Sequence, residues 1–169
     1  AYQSMEFGGP GMGGVTMDER MALCNMAVEA GAKTCIVPPD DTTRAWARRA
    51  TGGAGMIEHG DADADYAGRL EVALETLPVL CAKPYSPGNV APVAEVRGVR
   101  VDQAYIGNCA NGTLTDLRQA AAILRGRKVA RGVRCVVVPA TRDIYRQALA
   151  EGLIDIFAEA GALVSPSTC

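Results

Sequence analysis

Histidine and the large aromatic residues are scarce in this sequence of 169 residues, which has one His, one Trp and two Phe. Few aromatic rings leave little surface on which nucleic-acid bases could stack. Charge of one sign is also lacking, because 17 basic and 19 acidic residues give a formal net charge of −2. We therefore expect no nucleic-acid partner. The single histidine, His59, argues against a Ser–His or Cys–His catalytic pair and excludes a histidine-rich metal site in this chain.

Long apolar runs and paired cysteine motifs are missing as well. No run approaches the ~18 apolar residues of a membrane-spanning helix, and no charged-then-apolar leader opens the chain. We therefore expect no membrane association. The six cysteines form no Cys-x-x-Cys pair, and an α/β sequence of this size does not need disulfides for its stability. These features predict a cytoplasmic protein with reduced thiols.

A regular alternation of strands and helices fills the second half of the chain, in a sequence that is 49% hydrophobic and 21% charged. Either Thr113 or Thr115 is placed to cap the first helix of this series. Alternating strands and helices imply a parallel sheet flanked by helices, so we predict an α/β fold. The predicted strands are 99–106, 134–138 and 162–164, and the predicted helices are 114–124, 142–150 and 154–160.

The first half is less regular. Thr16 and Glu19 have capping-box spacing at the start of a helix that we expect to run to Gly31. A strand over 33–37, a helix over 44–49 capped at Asp41 and Thr42, and a strand over 70–74 follow in our prediction. The segment 83–89 is dense in turn-forming residues. We take it as a domain boundary, with 1–85 as the C-terminal part of one domain and 86–169 as the start of the next.

A glycine-rich loop over 9–14 fits the pattern G-x-G-x-x-G and precedes a capped helix, where backbone N–H groups favour phosphate. One hypothesis is therefore a dinucleotide-binding oxidoreductase. Two observations favour a purely structural turn instead. Pro10 removes an N–H donor, and no acidic residue ends a following strand at the spacing that ribose binding requires.

Cys109 and Cys169 each follow a predicted strand, and Cys109 also directly precedes a predicted helix. Functional groups of a parallel sheet gather beyond the carboxyl ends of its strands, and helix N-termini favour the thiolate that ligates metal. Spacing alone also allows two ordinary loop thiols, since two cysteines make an incomplete metal site. Glu6, beside the glycine loop, is either an acid–base group or a solvated carboxylate at a strand edge. The four cysteines that we predict to be structural are Cys24, Cys35, Cys81 and Cys135.

Five segments together resemble the aconitase superfamily, most closely the large subunits of isopropylmalate dehydratases and their homoaconitase-like relatives. The resemblance covers essentially the whole chain, in the order of the family. The segments are MEFGGPG (5–11), MALCNMAVEAGA (21–32), SPGNVAPV (86–93), IGNCANG (106–112) and STC (167–169).

The resemblance implies a four-iron–four-sulfur cluster that three cysteines hold, with one iron open to substrate and water. Cys109 matches the first ligand, and Cys169 matches the first member of a Cys-x-x-Cys pair whose second member lies three residues further on. Glu6 matches an active-site carboxylate. The implied activity is a hydro-lyase reaction of leucine biosynthesis that isomerises 2- and 3-isopropylmalate or a similar malate-type hydroxy acid. A homoaconitate or dimethylmalate-type hydratase is the alternative within the family.

The same resemblance places other parts of the active site outside this chain. The catalytic histidines of the family come from a region before Ala1, and the substrate-binding arginines come after Cys169 or from a partner. The serine base comes from a small swivelling subunit, which we expect as the partner. We therefore expect a fragment that is inactive alone, and a non-catalytic assembly fragment is a further hypothesis. Asn108 and Ala110 stand where the family usually has Ser and Thr.

Overall fold

The structure is a computed structural model that describes residues 2–53 and 57–168. It divides into two compact units, Ala1–Gly98 and Val99–Cys169. The assignment of 1–85 and 86–169 to two family domains stays a prediction. None of the helices in the described ranges has the length and apolar character needed to cross a bilayer.

The first unit contains a two-stranded parallel sheet and a two-stranded antiparallel one. Strands β1 and β2 form the parallel pair, with Met5 opposite Cys35. Strands β3 and β4 form the antiparallel pair, in which Cys81 is opposite Ala91 and the segment 83–89 is the connection. The elements are β1 (Ser4–Glu6), α1 (Met17–Met26), β2 (Thr34–Ile36), α2 (Asp41–Thr51), β3 (Leu80–Ala82) and β4 (Val90–Pro92).

Three predictions for this unit need correction. Helix α1 ends at Met26 and continues to Gly31 only as hydrogen-bonded turns. The cap of α2 is Asp40, whose carboxylate accepts the N–H of Thr43 at 3.0 Å. The strand predicted over 70–74 is wrong, because no strand pairs with this segment and Leu70 is 88% exposed. Alternation of apolar and polar residues does not make a strand unless a neighbouring strand accepts its hydrogen bonds.

The second unit has the predicted architecture. Its three strands form one parallel sheet in the order β5–β6–β7, and helices occupy the connections between them. The α/β prediction is therefore confirmed. The elements are β5 (Gln103–Gly107), α3 (Asn108–Asn111), α4 (Leu114–Leu124), β6 (Arg134–Val138), α5 (Arg142–Ala150), α6 (Leu153–Ala160) and β7 (Leu163–Val164).

A continuous apolar core holds this unit together. Cys135 and Val137 extend from one face of β6 and pack with side chains of the three long helices, among them Leu117, Ala148 and Phe157. Leu117, Val137 and Phe157 are fully buried. Because β5, β6 and β7 run parallel, their carboxyl ends lie along one edge of the sheet. The turn that contains Cys109 lies at that edge.

The start of α4 decides between the two candidate caps. The side chain of Thr113 accepts the N–H of Asp116, and the Asp116 carboxylate accepts the N–H of Thr113 at 3.1 Å. This reciprocal pair satisfies donors that the first turn of a helix leaves without partners. Thr113, and not Thr115, is therefore the cap, and it fixes where the turn that carries Cys109 joins the helix.

Candidate functional site

Cys109 lies directly beyond the carboxyl end of β5, in the single helical turn α3. Its side chain is exposed. The sequence predicted this position from the end of a strand, and the structure places it there. Ligands of open α/β sheets bind beyond the carboxyl ends of the strands.

Two glycines bring the Cys109 turn against the end of β6. A Cβ on Gly107, which has φ +117°, would lie 2.0 Å from the carbonyl oxygen of Val138, and a Cβ on Gly112 would lie 2.6 Å from the same oxygen. The N–H of Ala140 donates to the carbonyl of Gly112 at 2.9 Å. Any other residue at either glycine would push the turn away from the sheet. The backbone on both sides of Cys109 is therefore held in place.

Asn108 gives the turn its unusual backbone. Its φ is +67°, a left-handed conformation that asparagine adopts more readily than most residues. Its side-chain Oδ1 accepts the N–H of Ala110 at 3.2 Å. Asn108 thus supplies both the conformation and a local hydrogen bond on either side of Cys109. The sequence singled out this residue as a departure from the family without indicating its role.

The segment after β7 reaches the same edge of the sheet. The N–H of Ser165 donates to the carbonyl of Val137 at 2.9 Å, which continues the pairing of β7 with β6. The side chain of Ser165 donates to the carbonyl of Pro166. The Oγ atom of Ser167 is buried and has no hydrogen-bond partner among residues 2–53 and 57–168. Cys169 lies outside the described residues, so its predicted proximity to Cys109 stays a prediction.

Glu6 is the last residue of β1, and its side chain is exposed. The hydroxyl of Tyr66 donates a hydrogen bond to the Glu6 carboxylate, which raises the pKa of Tyr66. The guanidinium of Arg69 stands 5.1 Å from the centre of the Tyr66 ring. The sequence missed Tyr66 and Arg69 because they follow an Asp–Ala repeat that is typical of a solvated loop. A contact across 60 positions has no local sequence signal.

The glycine loop does not form a phosphate cradle. Residues Pro10–Gly14 form a short 3₁₀ helix, and the N–H of Thr16 donates to the Glu19 carboxylate at 2.7 Å. This contact and the side-chain hydrogen bond from Thr16 lower the pKa of Glu19. The anion position at the N-terminus of α1 is therefore filled by a carboxylate of the chain itself. This geometry does not support the dinucleotide hypothesis.

Arg20 fastens the glycine loop to the next helix. Its side chain is 2% exposed, and all of its N–H groups have acceptors. They donate to the carbonyls of Met12 and Val15 and to the hydroxyl of Thr43. They also form a bidentate ion pair with the Asp40 carboxylate, at 2.6 and 2.7 Å. This pair holds the pKa of Asp40 well below its usual range. The sequence did not predict this network.

The remaining cysteines form no metal site among the described residues, where no group of three or more His, Cys, Asp or Glu side chains is placed to hold an ion. Burial and a hydrogen bond with Cys24 raise the pKa of Cys35 to about 11. Burial in the core raises the pKa of Cys135. High thiol pKa values disfavour the thiolate that ligates metal. His59 lies in a surface loop, where its Nε2 is 3.0 Å from Arg44.

Comparison with known proteins identifies relatives of the whole chain. The model of the aconitase family (aconitate hydratase) matches residues 2–97 and 94–169. The chain is 51% identical over 165 residues to the 3-isopropylmalate dehydratase large subunit 2 of Rubrobacter xylanophilus, covering 98% of this chain and 39% of that protein. It is 48% identical over 168 residues to the 3-isopropylmalate dehydratase large subunit of Desulfitobacterium hafniense, covering 99% of this chain and 40% of that protein. The chain therefore spans about two fifths of these relatives.

Proposed function

This chain belongs to the aconitase family, and from that premise we propose that it is part of the large subunit of an iron–sulfur hydro-lyase. The proposed reaction interconverts 2- and 3-isopropylmalate, or a similar malate-type hydroxy acid, by removing water and adding it back. The relatives named above support this substrate class by their names and by their identity across nearly the whole chain. The observation that carries the proposal is the exposed Cys109 thiol on a turn that Gly107 and Gly112 fix at the sheet edge.

The residues at this edge fit a cluster. Cys109 lies on a turn that Gly107 and Gly112 hold close to β6. Ser167 has a buried hydroxyl that no other described residue pairs with. We assign Cys109 and Cys169 as two of three cysteine ligands of a four-iron–four-sulfur cluster. When bound, such a cluster with one open iron supplies a Lewis acid that polarises the hydroxyl leaving the substrate.

Glu6 is assigned to proton transfer at the substrate oxygen. Its carboxylate is exposed at the end of a strand, and Tyr66 donates to it. A hydrogen bond from the Tyr66 hydroxyl limits the orientations of this carboxylate, and general acid–base catalysis uses side chains held in one position. The Glu6 backbone is fixed by the pairing of β1 with β2. Tyr66 is a positioning residue in this assignment.

A partner follows from the proposed function. The relatives are named large subunits, which supports a smaller partner subunit, and we propose that it carries a swivelling domain that completes the active site. The rest of the large subunit supplies the third cysteine. The chain alone is then inactive. The thiols Cys24, Cys35, Cys81 and Cys135 are compatible with the reducing cytoplasm in which we place the reaction.

Cluster reconstitution tests the proposal. The full-length protein that contains this chain is loaded with iron and sulfide without oxygen, as wild type, Cys109→Ala and the matched control Cys81→Ala. We expect the visible absorbance of a cluster in wild type and in the control, and its loss in Cys109→Ala. Turnover of 2-isopropylmalate with the small subunit should follow the absorbance, and homoaconitate and dimethylmalate are the comparison substrates.

Three outcomes would contradict the proposal. A cluster that forms equally well in Cys109→Ala removes this residue from the ligand set. Absence of a cluster in the wild-type protein favours a non-catalytic assembly role. Binding of a nicotinamide or flavin nucleotide without iron would favour the oxidoreductase hypothesis instead.

A further inference from the structure

The hydroxyl of Ser167 is the one buried side-chain oxygen or nitrogen without a hydrogen-bond partner in the part of the chain that the structure describes. Leaving such a group unpaired destabilises a protein, and native proteins keep few of them. A serine hydroxyl can donate one hydrogen bond and accept two. The described residues around this position therefore leave its hydrogen-bonding capacity unused.

The backbone before Ser167 is well anchored. Ser165 continues the pairing with β6 through its N–H and the carbonyl of Val137, and its own hydroxyl is used by the carbonyl of Pro166. Pro166 restricts the chain further, since its ring fixes one backbone angle. Ser167 thus stands at the same carboxyl edge of the sheet as the Cys109 turn, two positions before the proposed ligand Cys169. The hydroxyl of Ser165 therefore has an acceptor, whereas the hydroxyl of Ser167 has none in the described part of the chain.

We infer that the Ser167 hydroxyl donates a hydrogen bond to a sulfur of the cluster, either an inorganic sulfide or a ligating thiolate. This inference rests on the proposed function and deepens it. An O–H donor stabilises negative charge on cluster sulfur, so it raises the reduction potential and strengthens retention of the cluster. Ser167 is a tuning residue in this assignment, because it touches neither substrate nor the proton that is transferred.

The free protein and the loaded protein should respond oppositely to loss of this hydroxyl. In the free protein an unpaired buried hydroxyl is a cost, so Ser167→Ala should leave the melting temperature unchanged or raise it. In the loaded protein the same substitution removes a donor to sulfur. We expect a lower reduction potential and about a tenfold faster loss of iron to a chelator.

The experiment uses the full-length protein as wild type, Ser167→Ala, Ser167→Thr and the matched control Ser165→Ala. Thermal unfolding is measured after chelation of the metal, and the reduction potential and the rate of iron loss to a chelator are measured after anaerobic reconstitution. Ser167→Thr keeps the hydroxyl and should keep the wild-type potential. Ser165→Ala removes a hydroxyl that already has an acceptor, so it should leave the potential unchanged.

Two results would overturn the inference alone. If wild type and Ser167→Ala form clusters of equal potential and equal iron retention, the hydroxyl does not reach sulfur. If Ser167→Ala lowers the melting temperature of the metal-free protein, the hydroxyl has a structural partner such as a bound water. Failure of wild type to form any cluster has a different meaning, because it overturns the proposed function and this inference with it.

Discussion

The two compact units of the chain bury different kinds of side chain. The second unit buries a set of large apolar residues that includes Leu117, Val137 and Phe157. In the first unit the buried hydrophobic residues are only alanines among those the structure describes, and the largest fully buried side chain is Arg20. Removal of apolar surface from water stabilises the second unit. In the first unit, loss of one partner of the Arg20–Asp40 ion pair is expected to be costly, because the Arg20 side chain is buried. The comparison predicts which substitutions and which conditions destabilise each unit.

The largest effect is expected in the apolar core. Phe157→Ala should destabilise the second unit by about 4 kcal/mol, because it removes a fully buried ring and leaves a cavity. Ile123→Ala, on an exposed part of α4, is the matched control and should change stability by less than about 0.5 kcal/mol. Denaturation by urea, followed by circular dichroism, measures both. Equal effects of the two substitutions would contradict an apolar core at this place.

Loss of the buried cation should affect the first unit. Arg20→Met removes the cation that pairs with the Asp40 carboxylate and the side-chain donors to the carbonyls of Met12 and Val15, and we expect a loss of about 3 kcal/mol. Trp46, the only tryptophan, lies in α2 of this unit, so its fluorescence reports this transition. Arg44→Met removes an exposed ion pair with Asp41 and an exposed contact with His59, and it should cost less than about 0.5 kcal/mol.

A result in which Arg20→Met leaves the Trp46 transition unchanged would contradict the role of the ion pair. The comparison would be sharpened if Phe157→Ala moved the dichroism transition and left the fluorescence transition in place. Each unit would then unfold according to its own kind of core.

Acid should weaken the first unit through Asp40. Because Arg20 lowers the pKa of the folded-state carboxyl, the stabilisation is fully present above the ordinary aspartate pKa of about 3.9. It is lost as the pH falls from there toward the folded-state pKa. Asp40→Asn keeps a good helix cap and removes the titrating charge. This variant should be less stable at neutral pH and should lose less of its stability in acid.

The control for this pH dependence is Asp41→Asn, since the Asp41 side chain is fully exposed. The stability of the Asp41→Asn variant should change with pH as that of wild type does. Urea unfolding followed by Trp46 fluorescence, repeated at each pH, measures this stability. The stability of Asp40→Asn should still fall somewhat in acid, because Glu19 also has a lowered pKa. If stability falls equally with pH in wild type and Asp40→Asn, the ion pair with Arg20 is not the cause of the acid sensitivity.

Sequence patterns predicted the second unit far better than the first, and the cause is the range of the interactions. Strand 134–138 and helices 114–124 and 142–150 have the predicted bounds, because local periodicity and burial agree there. In the first unit the decisive contacts are distant along the chain, such as Arg20 with Asp40 and β1 with β2. No short window contains both partners of such a contact. The segment 70–74 shows the reverse error, a strand pattern without a partner strand.

For the candidate site, the sequence predicted which type of residue is involved and at the end of which strand it lies. The end of β5 indicated the position of Cys109, and the motifs around it indicated the family, which the family match confirms. The glycines 107 and 112 gave no signal of their own, because their close approach to Val138 depends on the register of β5 with β6. The unpaired hydroxyl of Ser167 and the contact of Tyr66 with Glu6 likewise depend on folded geometry.

The smallest expected effect concerns Asn108, whose left-handed backbone conformation contributes to the stability of the second unit. Asn108→Ala should destabilise this unit by about 1 kcal/mol, because alanine tolerates φ +67° poorly and provides no acceptor for the N–H of Ala110. Asn108→Asp keeps both properties and should remain close to wild type, whereas Asn108→Gly relieves the conformation and loses only the acceptor.

The order of stability of these variants separates the effect of the backbone conformation from that of the hydrogen bond. Asn108→Ser is the fourth variant of the series. Urea denaturation of the metal-free protein, followed by circular dichroism, should rank Asp above Gly and Gly above Ala. If Gly is less stable than Ala, the left-handed backbone is not what asparagine provides, and the hydrogen bond to Ala110 carries the effect. If Ser equals Asn, the conformation and the hydrogen bond of this turn do not require the side-chain amide.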